Sequence, residues 1–135
     1  MADWADYIPR LMIDGVGDAA IFGKTGGCWA AHQQGKFKNI AAADIVAAQG
    51  DRSKLLAEGL RLGNRKYTLV QDKVESDGWM GLKSKSSAED ELRYSAVIFL
   101  TAQTVTIVEA KAADITIQKL LDVIPTITFL KDSGY

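Results

Sequence analysis

Hydrophobic positions recur with a helical period at the start of the chain. Large apolar side chains lie three and four residues apart, which puts them on one helix face: Trp4, Tyr7, Ile8 and Leu11. Asp3 is a suitable N-cap, the glycines after residue 14 predict the helix end, and Pro9 predicts a bend. The stripe is either core or, at the two aromatic positions, a half-exposed platform, because chain ends are usually poorly buried.

Short apolar runs between turn residues predict strands in the middle of the chain. Residues 19–22 and 28–31 flank a glycine-rich segment, which is typical of a β-hairpin. A short helix is expected between residues 39 and 50, and another in the segment that runs from Asp51 toward Leu60. The pattern that follows predicts antiparallel strands at 60–62, 66–71, 79–85 (half polar), 94–101 and 104–109, with turns at 63–64 and 77–78 and a polar loop at 86–91.

The last long segment has a helical pattern again. Apolar side chains at three- and four-residue spacings predict an amphipathic helix within residues 115–131, interrupted by Pro125: Ile117, Leu120, Leu121, Ile124, Ile127 and Leu130. The terminal helices are the only long ones predicted, so the simplest packing lays both on one face of the sheet. That packing brings the N-terminal aromatic residues near Phe129 and Tyr135.

Composition narrows the class of protein. A chain of 135 residues with 47% hydrophobic and 24% charged residues is typical of one globular domain, residues 1–135. A net charge of -1 argues against a protein built mainly to hold nucleic acid. No apolar run approaches the ~18 residues of a membrane span. The single cysteine, Cys28, cannot form an internal disulfide, which is typical of an intracellular protein.

Catalytic residues are scarce in this sequence. Cys28 and His32 are four residues apart, and on a strand that spacing separates them by ~13 Å, too far for a nucleophile and its base. No metal-ligand spacing is present, carboxylates are scattered, and the glycine-rich turn lacks the spacing of a phosphate loop. We therefore expect no enzyme, cofactor or metal. A small-ligand sensor with a similar sheet is the alternative, and an enclosed cavity would favour it.

A collinear series of short motifs resembles profilins of the animal type. The motifs are MADWADYI at 1–8, AAIFG at 19–23, WAA at 29–31, DRS to GLRLG at 51–63, Lys66, Asp72, KSKS at 83–86 and SGY at 133–135. The resemblance implies an α+β fold with a central antiparallel sheet, terminal helices on one face and short helices on the other. It also implies a cytoplasmic, cytoskeleton-associated protein that regulates actin assembly.

The resemblance implies a groove for proline-rich segments of cytoskeletal regulators, with an aromatic floor: Trp4, Tyr7, Trp29, Phe129 and Tyr135. A proline segment is already an extended left-handed helix, so its binding costs little ordering entropy. Indole N–H and phenol O–H groups donate to its carbonyls. Phe129 stands where animal profilins commonly have histidine, which keeps a ring and loses a hydrogen bond. Ordinary core packing is the alternative role for each ring.

The resemblance also implies a surface for monomeric actin: Leu56, Ala57, Lys66, Thr68, Val70, Gln71, Lys83 and Lys85. Its lysines, Lys66, Lys83 and Lys85, form a basic spot that suits an acidic partner or an anionic phosphoinositide headgroup. A solvated strand face is the alternative interpretation.

The segment before the last helix departs from the family pattern. Animal profilins have a glycine-rich turn with a histidine there, whereas this chain has Ile115 and Ile117, whose branched side chains should hold a partner away. Leu120 replaces the family's contact asparagine, and Gln71 stands where arginine is usual. We therefore expect weaker actin binding than in a profilin with the full pattern. The alternative is a binder of proline-rich segments and phosphoinositides with weak or absent actin binding.

Overall fold

A computed structural model of the chain describes residues 4–62, 65–85 and 93–135. The predicted cap Asp3, the turn at 63–64 and the loop at 86–91 lie outside these residues. The elements are a 3₁₀ turn Trp4–Tyr7, α1 Ile8–Leu11, β1 Val16–Gly23, β2 Cys28–Ala31, a 3₁₀ turn Phe37–Asn39, α2 Ala42–Ala48, α3 Arg52–Glu58, β3 Leu60–Leu62, β4 Arg65–Lys73, α4 Val74–Asp77, β5 Trp79–Ser84, β6 Ser95–Leu100, β7 Thr104–Ala110, α5 Ile117–Leu120, a 3₁₀ turn Leu121–Val123 and α6 Ile124–Asp132.

The strands of the described residues form one antiparallel sheet in the order β2-β1-β7-β6-β5-β4-β3. The predicted hairpins are present, because β2 pairs with β1 and β7 pairs with β6. The central antiparallel sheet of the predicted α+β fold is therefore confirmed.

Each face of the sheet is covered by its own hydrophobic core. On one face the terminal helices pack on the sheet through Leu11, Leu120 and Leu130, and we call this the terminal-helix core. On the other face α2 and α3 supply Ile45 and Leu55. The predicted packing, with both terminal helices on one face and short helices on the other, is confirmed.

Cover on both faces changes the environment of β5. The strand predicted at 79–85 is present as Trp79–Ser84, but it is more buried than the predicted half-polar pattern indicated. Trp79, Met80 and Leu82 are buried, and even Ser84 is nearly inaccessible, which leaves Lys83 as the strand's partly exposed residue. A strand between two covered faces buries side chains of both orientations.

The terminal helices are shorter and more broken than predicted. The N-terminal helix ends at Leu11, before the predicted end near residue 14, and the C-terminal helix is split into α5, a 3₁₀ turn and α6. Pro9 and Pro125 each lie in the first turn of an α-helix. A residue there has no intrahelical acceptor for its N–H, so proline begins a new helical segment at each place and breaks no helix interior.

Candidate functional site

Five aromatic rings from both chain ends and from β2 form one contiguous row. We call this row the aromatic strip, and its members are Trp4, Tyr7, Trp29, Phe129 and Tyr135. Trp4 is central, with ring centroids 5.4 Å from Tyr7, 4.8 Å from Trp29 and 4.7 Å from Tyr135. Tyr7 continues the row to Phe129 at 6.0 Å. These separations are those of directly packed aromatic pairs.

The strip is neither ordinary core nor fully open surface. Phe129 is 48% exposed and Trp29 is 38% exposed, whereas Tyr7 is only 7% exposed. Trp4 and Tyr135 are half-buried. Of the two alternatives for the N-terminal aromatic residues, core therefore describes Tyr7, and a half-exposed platform describes Trp4.

A β-bulge and a bare glycine position Trp29. In the β1–β2 ladder Ile21 pairs with Ala30 and Phe22 pairs with Cys28, so Trp29 is the extra residue of β2. A Cβ at Gly23 would lie 2.8 Å from Nε1 of Trp29, so the indole rests directly on the backbone of β1. The motif around Trp29 indicated a strand, but no residue pattern there revealed the bulge.

Backbone hydrogen bonds hold Tyr135 against Trp4. The N–H of Tyr135 donates to the carbonyl of Leu130 at 3.0 Å, and its own carbonyl accepts from the N–H of Gln103 at 2.6 Å. The Gln103 side chain also donates to the carbonyl of Gly134 at 2.9 Å. Gly134 has a φ of 94°, which lets the chain turn back after α6. The β6–β7 turn therefore fixes the last ring of the strip.

The residues predicted for the actin surface on β4 and β5 also lie close together. Thr68 is the register partner of Lys83, and the N–H of Lys85 donates to the carbonyl of Lys66. Tyr67 and Leu69 alternate with these residues and point into the core beneath α2 and α3. The four polar residues therefore share the opposite face of β4 and β5.

Two exposed apolar residues border this polar face. Leu56 on α3 is 53% exposed, and Val70 on β4 is 47% exposed. Val70 is a bulge residue, because Leu69 pairs with Leu82 while Gln71 pairs with Gly81. Ala57 and Gln71 are exposed as well. All the residues predicted for an actin surface therefore lie on α3, β4, β5 or the residue after β5.

Ion pairs fix α3 beside β4. The carboxylate of Asp51 caps the helix by accepting from the N–H of Ser53 at 2.9 Å. Arg52 donates to Asp72 at 3.2 Å and to Glu75 at 3.1 Å, on and just beyond the far end of β4. At the other end of α3, Lys85 lies close to Gly59. Its ammonium nitrogen is 3.7 Å from the position that a Cβ on Gly59 would occupy.

The lysines of the basic spot have no acidic partner among the residues that the structure describes. Within residues 4–62, 65–85 and 93–135, Lys66, Lys83 and Lys85 make no salt bridge. Lys66 and Lys85 are exposed, and Lys83 is half-buried. Among the described residues these three ammonium groups lie on neighbouring strands without a carboxylate partner, which favours an electropositive surface at this end of β4 and β5.

The altered segment before the last helix faces its own core more than expected. A Cβ at Gly81 would lie 2.9 Å from Cδ1 of Ile117, so this isoleucine packs on the bare backbone of β5. Ile115 is half-buried on the same core, and Leu120 is fully buried. Only part of each isoleucine side chain therefore faces outward, and the expectation that the two side chains hold a partner away stays a prediction. Leu120 is inaccessible to any partner.

Catalytic and metal-binding chemistry has little support in the part of the chain that the structure describes. Burial raises the pKa of the Cys28 thiol, which lowers the fraction present as the nucleophilic thiolate. The described residues contain no group of His, Cys, Asp and Glu side chains that could hold a metal ion. None of their helices is long and apolar enough to cross a membrane. On the terminal-helix face the described residues form the open aromatic strip and, between Trp79, Phe99 and Ile127, a partly open pocket of about 430 Å³.

These features define a class: a small α+β domain whose two chain ends and sheet edge together form a half-open aromatic binding surface. The chain belongs to the profilin family, since the family model described as Profilin matches residues 2–135. The resemblance found in the sequence is thereby confirmed.

Individual relatives agree with this assignment. Profilin-1 of Bos taurus is 35% identical over 117 residues, which cover 82% of this chain and 83% of that protein. Profilin-1 of Homo sapiens is 40% identical over 93 residues, which cover 64% of this chain and 66% of that protein. The structure of mouse profilin IIa, in complex with a double repeat from the FH1 domain of mDia1, superposes with a TM-score of 0.87 at 28% identity and covers 99% of this chain and 100% of that chain.

Proposed function

We propose that this profilin family member binds proline-rich segments on the aromatic strip and monomeric actin on the face of β4 and β5, and so regulates actin assembly. The observation that carries the proposal is the contiguous row of five rings, all but Tyr7 at least partly exposed, at the two chain ends and on β2. The complex of mouse profilin IIa with an FH1 double repeat supports it. Parallel titrations with monomeric actin and with a proline-only peptide test the two surfaces separately.

The dimensions of the strip suit a polyproline helix. Such a helix rises about 3.1 Å per residue, so each ring-to-ring step of 4.8 to 6.0 Å spans about two residues. The row from Trp29 through Trp4 and Tyr7 to Phe129 then matches a segment of about six residues. The indole N–H and phenol O–H groups donate to ligand carbonyls, whereas Phe129 contributes ring surface only.

The bare backbone of Gly23 gives a prediction about the strip. Gly23→Ala places a methyl group against the Trp29 indole, so the ring must leave its present position beside Trp4. We expect the affinity for a polyproline peptide to fall about three- to tenfold, equivalent to about 0.7–1.4 kcal/mol. Isothermal titration calorimetry measures the change.

The same turn supplies a matched control for that substitution. At Gly27 an added Cβ would meet no atom within 4 Å, so Gly27→Ala should leave the affinity unchanged. Equal losses of affinity in both variants would show that the conformation of the whole turn, and not the contact between Gly23 and the Trp29 indole, determines binding.

The proposed actin surface has the arrangement of a protein interface. Leu56 and Val70 offer apolar area, and Lys66, Lys83 and Lys85 form a charged border. The charge suits an acidic protein surface, and it also suits anionic phosphoinositide headgroups, which we propose as additional ligands of the basic spot. The buried position of Leu120 removes one family contact, so we propose a weaker actin complex than that of profilins with the full pattern.

Charge reversal in the basic spot tests this second surface. Lys85→Glu should weaken binding to actin and to phosphoinositide vesicles about two- to fivefold and leave polyproline affinity unchanged. Added salt should weaken the wild-type interaction in the same direction. The control is Lys38→Glu, because Lys38 is equally exposed but lies at the far edge of the sheet, in the 3₁₀ turn that packs beside β1 and β2. An equal loss of polyproline binding in Lys85→Glu would contradict the separation of the surfaces.

We further propose that the protein acts by binding alone, without catalysis, and that it works in the cytoplasm beside the actin cytoskeleton. Membership of a family of binding proteins supports both statements. The raised pKa of the Cys28 thiol supports the first of them, because it disfavours the most reactive nucleophile in the chain.

A further inference from the structure

Arg10 lies at one end of the aromatic strip. Its guanidinium carbon is 5.7 Å from the ring centroid of Tyr7 and 5.5 Å from that of Phe129. Both distances are within the range of a cation–π contact. The helical spacing of three residues puts Arg10 on the same side of the N-terminal segment as Tyr7. Trp29 and Tyr135 lie at the other end of the row, so the strip has one cationic end.

The charge of Arg10 has no carboxylate partner within residues 4–62, 65–85 and 93–135. Among the described residues no carboxylate forms an ion pair with its guanidinium, although Asp6 lies one helical turn earlier. Arg10 is exposed, so its donors face solvent. The two rings restrain the guanidinium plane, and less side-chain entropy is then lost when it binds a ligand.

We propose that Arg10 makes the aromatic strip selective for proline-rich segments that carry an Asp or Glu directly beside the proline run, an inference that rests on the proposed function of the strip. A proline segment seated on Tyr7 and Phe129 must pass or end beside the guanidinium. A carboxylate at that point meets planar, pre-oriented N–H donors, which bind carboxylates in bidentate geometry. A neutral or basic flanking residue gains no such contact, and a basic one is repelled.

The size of the preference follows from the exposure of Arg10. An ion pair at a solvent-exposed site is weak, so an acidic flank should improve affinity by about two- to fivefold over its uncharged analogue at low ionic strength. The gain should shrink with added salt, because screening acts on exposed charges. The proline run itself supplies the larger part of the affinity in this account.

The test uses capped ~10-residue polyproline peptides. One set is unmodified, two carry an Asp-Asp pair at either the N-terminal or the C-terminal end, and two carry Asn-Asn at the same ends. Titration calorimetry measures each against the wild type, Arg10→Gln and Arg10→Lys. Lys54→Gln removes an equivalent exposed charge from α3, on the opposite face of the sheet, and is the control.

We expect the Asp-Asp peptide to bind more tightly than its Asn-Asn analogue at one of the two ends. Arg10→Gln should remove this preference, Arg10→Lys should retain only part of it, and Lys54→Gln should retain all of it. Equal affinities of the Asp and Asn peptides at both ends would overturn the inference, as would a preference that survives in Arg10→Gln. If the unmodified polyproline peptide binds normally in those cases, the proposed function stands, whereas its failure to bind would overturn both.

Discussion

Replacing Trp4 by alanine should remove most of the affinity for a proline-rich peptide. Trp4 contacts three of the other four rings of the strip, so its loss leaves Trp29 and Tyr135 separated from Tyr7. Anchoring aromatic residues at a binding surface are typically worth ~1–3 kcal/mol, or about five- to 150-fold in Kd. Calorimetric titration of Trp4→Ala with a polyproline peptide measures the loss.

Trp4 also packs on the terminal-helix core, so folding must be monitored separately. Tyr135→Ala is the companion variant, because Tyr135 lies at the chain end and its contacts are with Trp4 and Trp29. We expect a loss of ~1–3 kcal/mol in binding there with a smaller change in stability. Thermal unfolding of both variants separates the two effects. Unchanged affinity in both folded variants would contradict the assignment of the strip.

Removing the hydroxyl of Tyr67 should lower the free energy of unfolding more than removing the hydroxyl of a half-exposed tyrosine. Tyr67 on β4 donates to Glu109 Oε2 on β7 at 2.7 Å, although β5 and β6 lie between the two strands. Glu109 is only 3% exposed, and its other oxygen accepts from Arg65 at 2.7 Å and from Lys36 at 3.4 Å. Tyr67→Phe leaves a buried carboxylate oxygen without its donor, which should cost ~1–3 kcal/mol of unfolding free energy.

Chemical denaturation of Tyr67→Phe measures this cost. The matched control is Tyr94→Phe, because Tyr94 is half exposed and its ring lies beneath Arg65 at 5.0 Å without a hydrogen bond from its hydroxyl within the described residues. We expect little change there. Unchanged stability in Tyr67→Phe would show that Tyr67 stabilises the core by ring packing and not through Glu109.

The same hydroxyl predicts how stability depends on alkaline pH. Burial, and then the charge of Glu109, raise the pKa of Tyr67 well above its ordinary value. In the unfolded chain a tyrosine loses its proton near pH ~10, while folded Tyr67 keeps it. The contribution of Tyr67 to the free energy of unfolding is therefore complete below pH ~10 and falls as the pH rises further. Tyr67→Phe should lose less stability than the wild type between pH ~8 and pH ~11.

Local sequence patterns predicted the fold class because they reflect local physics. The glycine-rich segment before Cys28 indicated a hairpin, and the two-residue connection at 102–103 required antiparallel neighbours, both as observed. The helix ends were less predictable. Pro9 and Pro125 were expected to distort long helices, but 3₁₀ turns before them let each proline occupy a first turn instead.

The details of the sites could not be predicted from the sequence, because they depend on contacts between distant segments. Collinear motifs identified Trp29, but its direction depends on a bulge and on Gly23. Glu109 falls near the end of an apolar run and gave no sign of pairing with Tyr67, which is 42 residues away. Nothing in the sequence indicated that Ile117 packs against the backbone of Gly81, because Gly81 lies on a distant strand.

The three tryptophans of the chain allow the most direct test of the central claim. Trp4 and Trp29 belong to the aromatic strip, whereas Trp79 is buried on β5, separated from β1 by β7 and β6. Indole N–H resonances of ¹⁵N-labelled protein, assigned by single substitutions, report on each ring during titration with a polyproline peptide. Our account predicts that the Trp4 and Trp29 resonances shift with saturation while that of Trp79 stays in place. Unmoved Trp4 and Trp29 resonances at saturating peptide would contradict it.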